Sequence, residues 1–524
     1  MSYDVAIVGA GHNSLVAAAY LARAGRSVVV LERRPVAGGS ATTEELAPGF
    51  RVPAAFASAE TFAPSIVAEL DLTSHGLELL PTGGVLVPRS DGQPLFLAPP
   101  AGGDGPPGVD GISAADAEAL AELDGFLRRI AGAIAPILEA PLPDLEPSGL
   151  PGIFDLLRPA FRLRRLGASD LAAAMRFLPM PVADVVDERL EDPALMAAVA
   201  AGGILGSWLG PRSPGSAMNL LLHRCGGCRG AVGFPRFVRG GPGGLSEALA
   251  AAARTAGAEI RTEAEVETVL VSKGAAKGVA LTGGEEIAAG VVASGADPKT
   301  TFLELVDPGH LEPSFLLAVR NLRSRGTVAI AWFALDRLPE FSGIDDSRQL
   351  AGRIQIGATP DDLERAFDDA KYGRLPQRPF LDLTIPSLAD PGLAPEGKHV
   401  LHAWVQYPPY DLRERSWDEA RDELGAIVEK SIAEVAPGFS DSILERRVLT
   451  PADLEERFGV TGGCLYHLEP ALDQELYMRP LPRWARHTTP IDGLYLCGAG
   501  AHGGGGLTGL AGRNAARVML SSVQ

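Results

Sequence analysis

Cysteine is scarce, with four residues in 524. That is too few for a disulfide scaffold and is the usage expected of a reducing compartment. Positive charge is also in deficit: 47 Lys and Arg against 65 Asp and Glu leave a net charge of −18. A surface of that sign repels polyanions, so nucleic acid is not an expected partner. No run of about 18 apolar residues free of charges and breakers occurs, so no membrane-spanning helix is expected. The apolar stretch at the start has no basic residues ahead of it and reads as a strand the fold needs, so no cleaved leader is expected there. These absences together point to a cytoplasmic protein. What remains is ordinary globular composition, 46% hydrophobic and 21% charged, with a length that suggests roughly three domains' worth of core.

The most informative stretch lies at the start. Tyr3-Asp4-Val5-Ala6-Ile7-Val8 reads as a strand running into Gly9-Ala10-Gly11-His12-Asn13-Ser14. A helix from Leu15 to Ala24 and a second strand from Ser27 to Leu31 follow, ending in Glu32. Strand, glycine turn, helix, strand and acid is the order a dinucleotide requires. Gly9 permits the tight turn, Gly11 lets the backbone approach a pyrophosphate, and the helix N-terminus offers free N–H groups and a positive dipole end. Glu32 stands 23 residues beyond Gly9, near the spacing of about 20 for a carboxylate that accepts from ribose hydroxyls. The third glycine position is Ser14, small enough for helix–strand packing. Gly38 and Gly39 then allow a second close backbone approach.

The far end repeats this logic. Leu494–Cys497 reads as a strand entering Gly498-Ala499-Gly500-Ala501-His502-Gly503-Gly504-Gly505-Gly506, followed by a helix from Gly509 to Ser521. Between the two ends the pattern alternates. A Gly/Pro-rich stretch covers Pro99 to Gly111, and Ser113 opens a helical region broken by Pro136, Pro141, Pro143, Pro147 and Pro151. Near Phe237 the chain returns to α/β, with a helix over Leu245–Ala256 and short strands at Glu259–Thr262, Val266–Ser272, Gly278–Leu281 and Val291–Ala293. Further strands are expected at Thr327–Leu335 and Val400–Gln406, and a helix at Trp417–Val435. The expected fold class is α/β: a Rossmann-type dinucleotide-binding domain assembled from discontinuous segments, with an inserted α+β substrate domain and a helical lid. The expected segments are 1–90, 237–300 and 461–524 for the nucleotide domain. Residues 91–236 form the substrate and lid insertion, and 301–460 the rest of the substrate domain.

The paired motifs, G-x-G-x-x-S…E…GG at the start and GLYLCGAGAHGGGGLTGLAGRNAARV at the end, resemble those of FAD-dependent phytoene-desaturase-like oxidoreductases. That group holds carotenoid desaturases, ketolases and isomerases. The similarity is greatest to proteins known as pyridine nucleotide-disulfide oxidoreductase-domain proteins. Gly243-Gly244-Leu245, Gly295-Ala296-Asp297-Pro298, Thr450-Pro451-Ala452-Asp453 and Gly462-Gly463-Cys464-Leu465-Tyr466-His467 agree with the resemblance, which spans nearly the whole chain. It implies FAD, with Gly9, Gly11 and Ser14 at the pyrophosphate and Glu32 at the ribose. Arg33, Gly38, Gly39, Ser40 and Thr42 would lie along the phosphate and flavin side, Val266 at the adenine, and Gly500, Leu507 and Thr508 around the ring. Ser40 replaces an arginine common after the double glycine, and Gly503 a proline common after the histidine.

Two histidines in these segments, His467 and His502, are candidates to reach the chemistry. Cys225-Gly226-Gly227-Cys228 lacks a second pair at metal-ligand spacing, because Cys464 and Cys497 stand alone, so no metal is expected. Phe154–Leu166 is locally basic, with Arg158, Arg162, Arg164 and Arg165 interleaved with apolar residues. It suits either a solvated face over a lid or a peripheral contact with membrane or another subunit; a homo-oligomer is one expectation. The expected reaction is hydride transfer from a small apolar, terpenoid- or lipid-like substrate to flavin N5, with reoxidation by oxygen or a quinone. A redox-neutral flavin isomerase and a flavin-binding interaction protein are the alternatives.

Overall fold

The computed structural model describes residues 2–81, 83–89, 91–100, 105–146, 149–225, 230–357 and 359–522. Its first sheet grows from the run Val28–Leu31, three β-branched valines and a leucine, buried on both faces and suited to a parallel interior strand. Strand Ser2–Val8 lies parallel beside it, Val5 opposite Val28, and pairs on its other edge with Glu286–Ser294, Val5 opposite Val291. Glu259–Arg261 extends the sheet beyond Val28–Leu31, and Leu494–Leu496 lies parallel to the end of Glu286–Ser294. An antiparallel meander, Val266–Ser272 and Ala275–Leu281, completes it along the first half of Glu286–Ser294. Strands from the beginning, middle and end of the chain therefore share one sheet, the discontinuous α/β nucleotide-binding architecture expected.

One face of this sheet is covered by three helices, His12–Arg23, Pro242–Thr255 and Leu510–Ser522. Small residues let them approach closely. Ala17, Ala18 and Ala19 are fully buried, and a Cβ added at Gly512 would stand 1.9 Å from the Asn13 carbonyl oxygen. The first helix begins at His12, three residues before its expected start. The strand expected at Val291–Ala293 runs from Glu286.

The second sheet has eight strands, in spatial order Ile443–Leu449, Val328–Leu335, His399–Gln406, Phe380–Thr384, Arg353–Ile356, Val85–Val87, Leu95–Ala98 and Gly108–Asp110. Val85–Val87 and Leu95–Ala98 pair with each other here. A domain boundary at 90 would cut that hairpin, so the chain leaves the first domain before residue 85. One face of this sheet packs Leu381, Leu383, Leu401, Ala403 and Val405 against Leu424, Val428 and Ile432 of helix Trp417–Ala433. That helix is opened by a capping box between Ser416 and Glu419. Helices between Ala114 and His223 form a separate layer with its own apolar core. Ser113 caps the first of them through Asp116 N–H, as expected; Pro136 lies inside that helix, which continues to Leu138.

Candidate functional site

A cavity of about 440 Å³ opens where the first strand meets its helix. Gly9, with φ +78°, makes the turn, and a Cβ at Gly9 or Gly11 would meet no atom within 4 Å. No side chain caps helix His12–Arg23, and its first turn carries no acid, so its free N–H groups and dipole are left for an anion. The Glu32 carboxylate is buried at the rim, accepting from Ala10 N–H at 2.7 Å and Arg34 N–H at 2.9 Å. Arg33, Gly39, Ser40 and Val266 also line the cavity. Ser14 lines it too, and its hydroxyl fills the space a Cβ on Gly295 would need, 2.0 Å away. Small residues are therefore required on both sides of that contact. A dinucleotide fits this cradle of bare backbone, free N–H groups and a buried acid.

Other expected positions support the cavity from behind. The Gly38 N–H donates to the Ala10 carbonyl at 2.8 Å, and a Cβ there would meet Thr42 Cγ2 and Ser246 Oγ at 2.8 Å. Thr42 is buried and its hydroxyl donates to the Gly39 carbonyl at 3.3 Å. Gly500 packs on Pro298 and His467, and Leu507 is in the apolar core of the first domain. Thr508 lines a separate space of about 50 Å³.

The two candidate histidines part company. His467 lines the large cavity and its Nδ1 has no partner. Burial pushes its pKa down to about 4, against an upward pull from Asp297, so it is neutral at physiological pH. His502 is a correction to the sequence reading. Its Nε2 is held between the carbonyls of Ile137 (3.0 Å) and Ala140 (3.2 Å), so it ties the glycine loop to the end of helix Ala114–Leu138 and lines none of the cavities described. His12 was missed as a site residue although it sits inside the fingerprint. It lines the large cavity with Nε2 unpartnered, and burial first, then His467, lower its pKa to about 3.

Arg479 holds the walls together. Fully buried, it donates twice to the Ala499 carbonyl (2.8 and 3.2 Å), once to the Tyr466 carbonyl (2.7 Å), and pairs with Glu475 at 3.0 Å. Ala499 and the two neighbours of Tyr466, Leu465 and His467, line the large cavity, whereas Tyr466 itself faces the other way.

On that other side lies a second cavity of about 80 Å³, roofed by the second sheet. Strand alternation turns Arg353, Asp382, Thr384, His402 and Trp404 toward it while their neighbours enter the apolar core. Phe56, Trp404 and Tyr466 form an aromatic wall, Phe56 stacking on Tyr466 at 6.3 Å between centroids. Arg353 donates to Glu60 at 2.9 Å and lies 3.0 Å from Asp382. Despite that arginine, burial raises the Asp382 pKa to about 6. The neutral His223 donates from Nδ1 to the Gly202 carbonyl at 2.9 Å, leaving Nε2 to accept from the Tyr466 hydroxyl at 3.4 Å. Gly506 lines this cavity and meets the ring of His12, which lines the first, so the two spaces adjoin.

Cys225 is a buried thiol directed at the Leu221 carbonyl at 3.3 Å, whereas Cys228 lies outside the described residues. Among the described residues no cluster of three or more His, Cys, Asp or Glu could hold a metal, and no helix is long and apolar enough to cross a membrane.

A cavity that fits a dinucleotide, adjoined by a walled second cavity, suits a nucleotide-dependent enzyme. Residues 15–520 match the model of the flavin containing amine oxidoreductase family, and the chain belongs to that family. It is 38% identical to the rat pyridine nucleotide-disulfide oxidoreductase domain-containing protein 2 over 545 residues, covering all of this chain and 94% of the relative. It is 27% identical to the neurosporene-forming phytoene desaturase of Cereibacter sphaeroides over 277 residues, 53% of this chain and 52% of the other. Putrescine oxidase bound to putrescine has the same fold, with a TM-score of 0.60 at 17% identity over 99% of both chains. The protein is thus a flavin-dependent oxidoreductase, and its cofactor is FAD.

Proposed function

We propose that this enzyme is a desaturase or oxidase for a small substrate with an apolar, terpenoid- or lipid-like body and one polar end. The observation that carries this reading is the second cavity: an aromatic wall on one side, a buried polar row on the other, adjoining the dinucleotide cavity at Gly506 and His12. The apolar body would pack on Phe56, Trp404 and Tyr466, and the polar end would reach Thr384, whose hydroxyl has no partner, and Asp382, which is paired with Arg353. The likeness to a phytoene desaturase supports the apolar body.

In this reading Gly9, Gly11 and Ser14 hold the pyrophosphate against the uncapped helix, Glu32 takes the ribose and Val266 the adenine. Arg33, Gly39 and Ser40 flank the phosphates. His467, Gly498 and Ala499 bound the flavin end, with His12 and His467 as uncharged hydrogen-bond partners. The bound flavin supplies a hydride acceptor. The chain's part is to orient the substrate's C–H against it, exclude water and hold the polar end, which needs no side-chain nucleophile. Reoxidation is assigned to oxygen or a quinone.

Anaerobic titration of the holoenzyme with terpenoid alcohols, fatty amines and fully apolar polyenes tests the proposal. Flavin absorbance should bleach with amphipathic members and return with oxygen or a quinone. Bleaching by polyenes alone, or by no member, overturns it.

A further inference from the structure

One helix breaks the ordinary rule for where apolar side chains go. Gly149–Arg164 carries Leu150, Ile153, Phe154, Leu157 and Phe161 at 72, 43, 65, 41 and 55% exposure. Their spacing of three and four places them along one side of the helix, and that side faces solvent. The half-buried positions Leu156, Pro159 and Leu163 fall on a different stripe, the one turned toward the protein. Among the described residues, five of the fourteen exposed large apolar side chains lie in this one helix, a concentration that marks an interaction surface rather than scatter.

Charge selects the occupant. Arg158, Arg162, Arg164 and Arg165 are exposed beside the apolar stripe, and the one acid within helix Gly149–Arg164, Asp155, pairs with Arg158 at 3.0 Å. The segment is therefore cationic in a protein of net charge −18. A second copy docking by two-fold symmetry would set this helix near its own equivalent, cation against cation, between two acidic bodies. An anionic bilayer offers the opposite: phosphates for the guanidinium groups and acyl chains for the two phenylalanines. We infer that helix Gly149–Arg164 lies in the interface of anionic membranes, apolar side down, and anchors the enzyme peripherally. This inference concerns a surface apart from both cavities and stands independently of the substrate proposed above.

The holoenzyme should sediment with vesicles made equally of phosphatidylcholine and phosphatidylglycerol, bind phosphatidylcholine vesicles weakly, and release from the anionic ones on adding salt. Each arginine at an anionic surface is worth roughly a fivefold change in partitioning, so R158Q/R162Q/R165Q should lose most of the binding. F154S/F161S should lose binding as well. Both variants change only exposed side chains, so flavin content and thermal midpoint should match the parent and report that the fold is intact. Equal binding to both vesicle types, or undiminished binding by F154S/F161S, overturns the inference. A dimer in solution that F154S/F161S dissociates, without vesicle binding by the parent, assigns the helix to a second copy instead.

Discussion

The two cavities are neighbours built from opposite materials. The larger has bare backbone in its wall at Gly9, Gly11, Gly39, Gly295, Gly459 and Gly498, where the turns that would meet a cofactor lie. Almost every residue of the smaller contributes a side chain, delivered by strands and loops from Phe56 to Gly506. A backbone-lined site recognises what is constant about a cofactor, its phosphates and flat ring, and tolerates almost no added atoms. A side-chain-lined site can be rewritten strand by strand without disturbing the fold.

The sharpest way to break this comparison is at Gly11. Its φ of −65° is open to any residue, and a Cβ there enters empty space. Gly11→Val should therefore fold, with unchanged circular dichroism, yet place two methyl groups where the pyrophosphate belongs. We expect purified protein without bound FAD and an affinity lowered by about a hundredfold or more, several kcal/mol. FAD absorbance after gel filtration reads the result directly. Retention of flavin would show that the cavity is not the cofactor's.

Arg479 joins the two halves, so it tests whether they are independent. Removing a buried partner leaves Glu475 and the Ala499 and Tyr466 carbonyls without their donor. Such a loss typically costs about 3–5 kcal/mol. Arg479→Met should lower the holoenzyme's thermal midpoint by several degrees and accelerate flavin release, because Ala499 lines the cofactor cavity. Arg479→Lys should recover part of the stability through Glu475 but not the two-carbonyl clasp, since an ammonium lacks the planar fork. A stability loss with flavin release unchanged would show that the two cavities are held separately.

How much of this was legible in the sequence follows the same division. The dinucleotide site announces itself because backbone chemistry demands glycine at set spacing and an acid at a set distance. Gly9, Gly11, Ser14, Glu32 and Val266 were all named from sequence, and all line the large cavity. His12 was overlooked beside them because a histidine within a fingerprint has no backbone role to give it away. The second cavity was invisible as a unit. Arg353, Asp382 and His402 come from three strands, and only cross-strand register brings Asp382 opposite Trp404 and Thr384 opposite His402. The alternation was written in each strand, as in Phe380-Leu381-Asp382-Leu383-Thr384, but alternation says which residues share a face, not what that face meets. His502 was overvalued for the converse reason. A histidine in a glycine loop suggests chemistry, and only the fold reveals the Ile137 and Ala140 carbonyls that occupy it.

The smallest expected effect probes the polar row itself. Burial holds the Asp382 pKa at about 6 even though Arg353 lies 3.0 Å away, because Glu60 shares that guanidinium and adds its own negative charge; Arg224 acts in the opposite sense. The folded protein then binds the Asp382 proton more tightly than the unfolded chain, whose carboxyl titrates near 3.9. Stability from this group is fully present below about pH 4, falls as pH rises to about 6, and is level above that. The change is at most about 3 kcal/mol by the usual conversion. Asp382→Asn keeps the shape and removes the titration, so the thermal midpoint of the variant should lose that decline across about pH 4 to 6. The variant should also alter substrate-dependent bleaching while leaving FAD content untouched. An unaltered pH profile would mean that Asp382 is ionised throughout and that its row binds charge in a fixed state. Loss of FAD would instead dissolve the distinction between a backbone-lined cofactor site and a side-chain-lined substrate site.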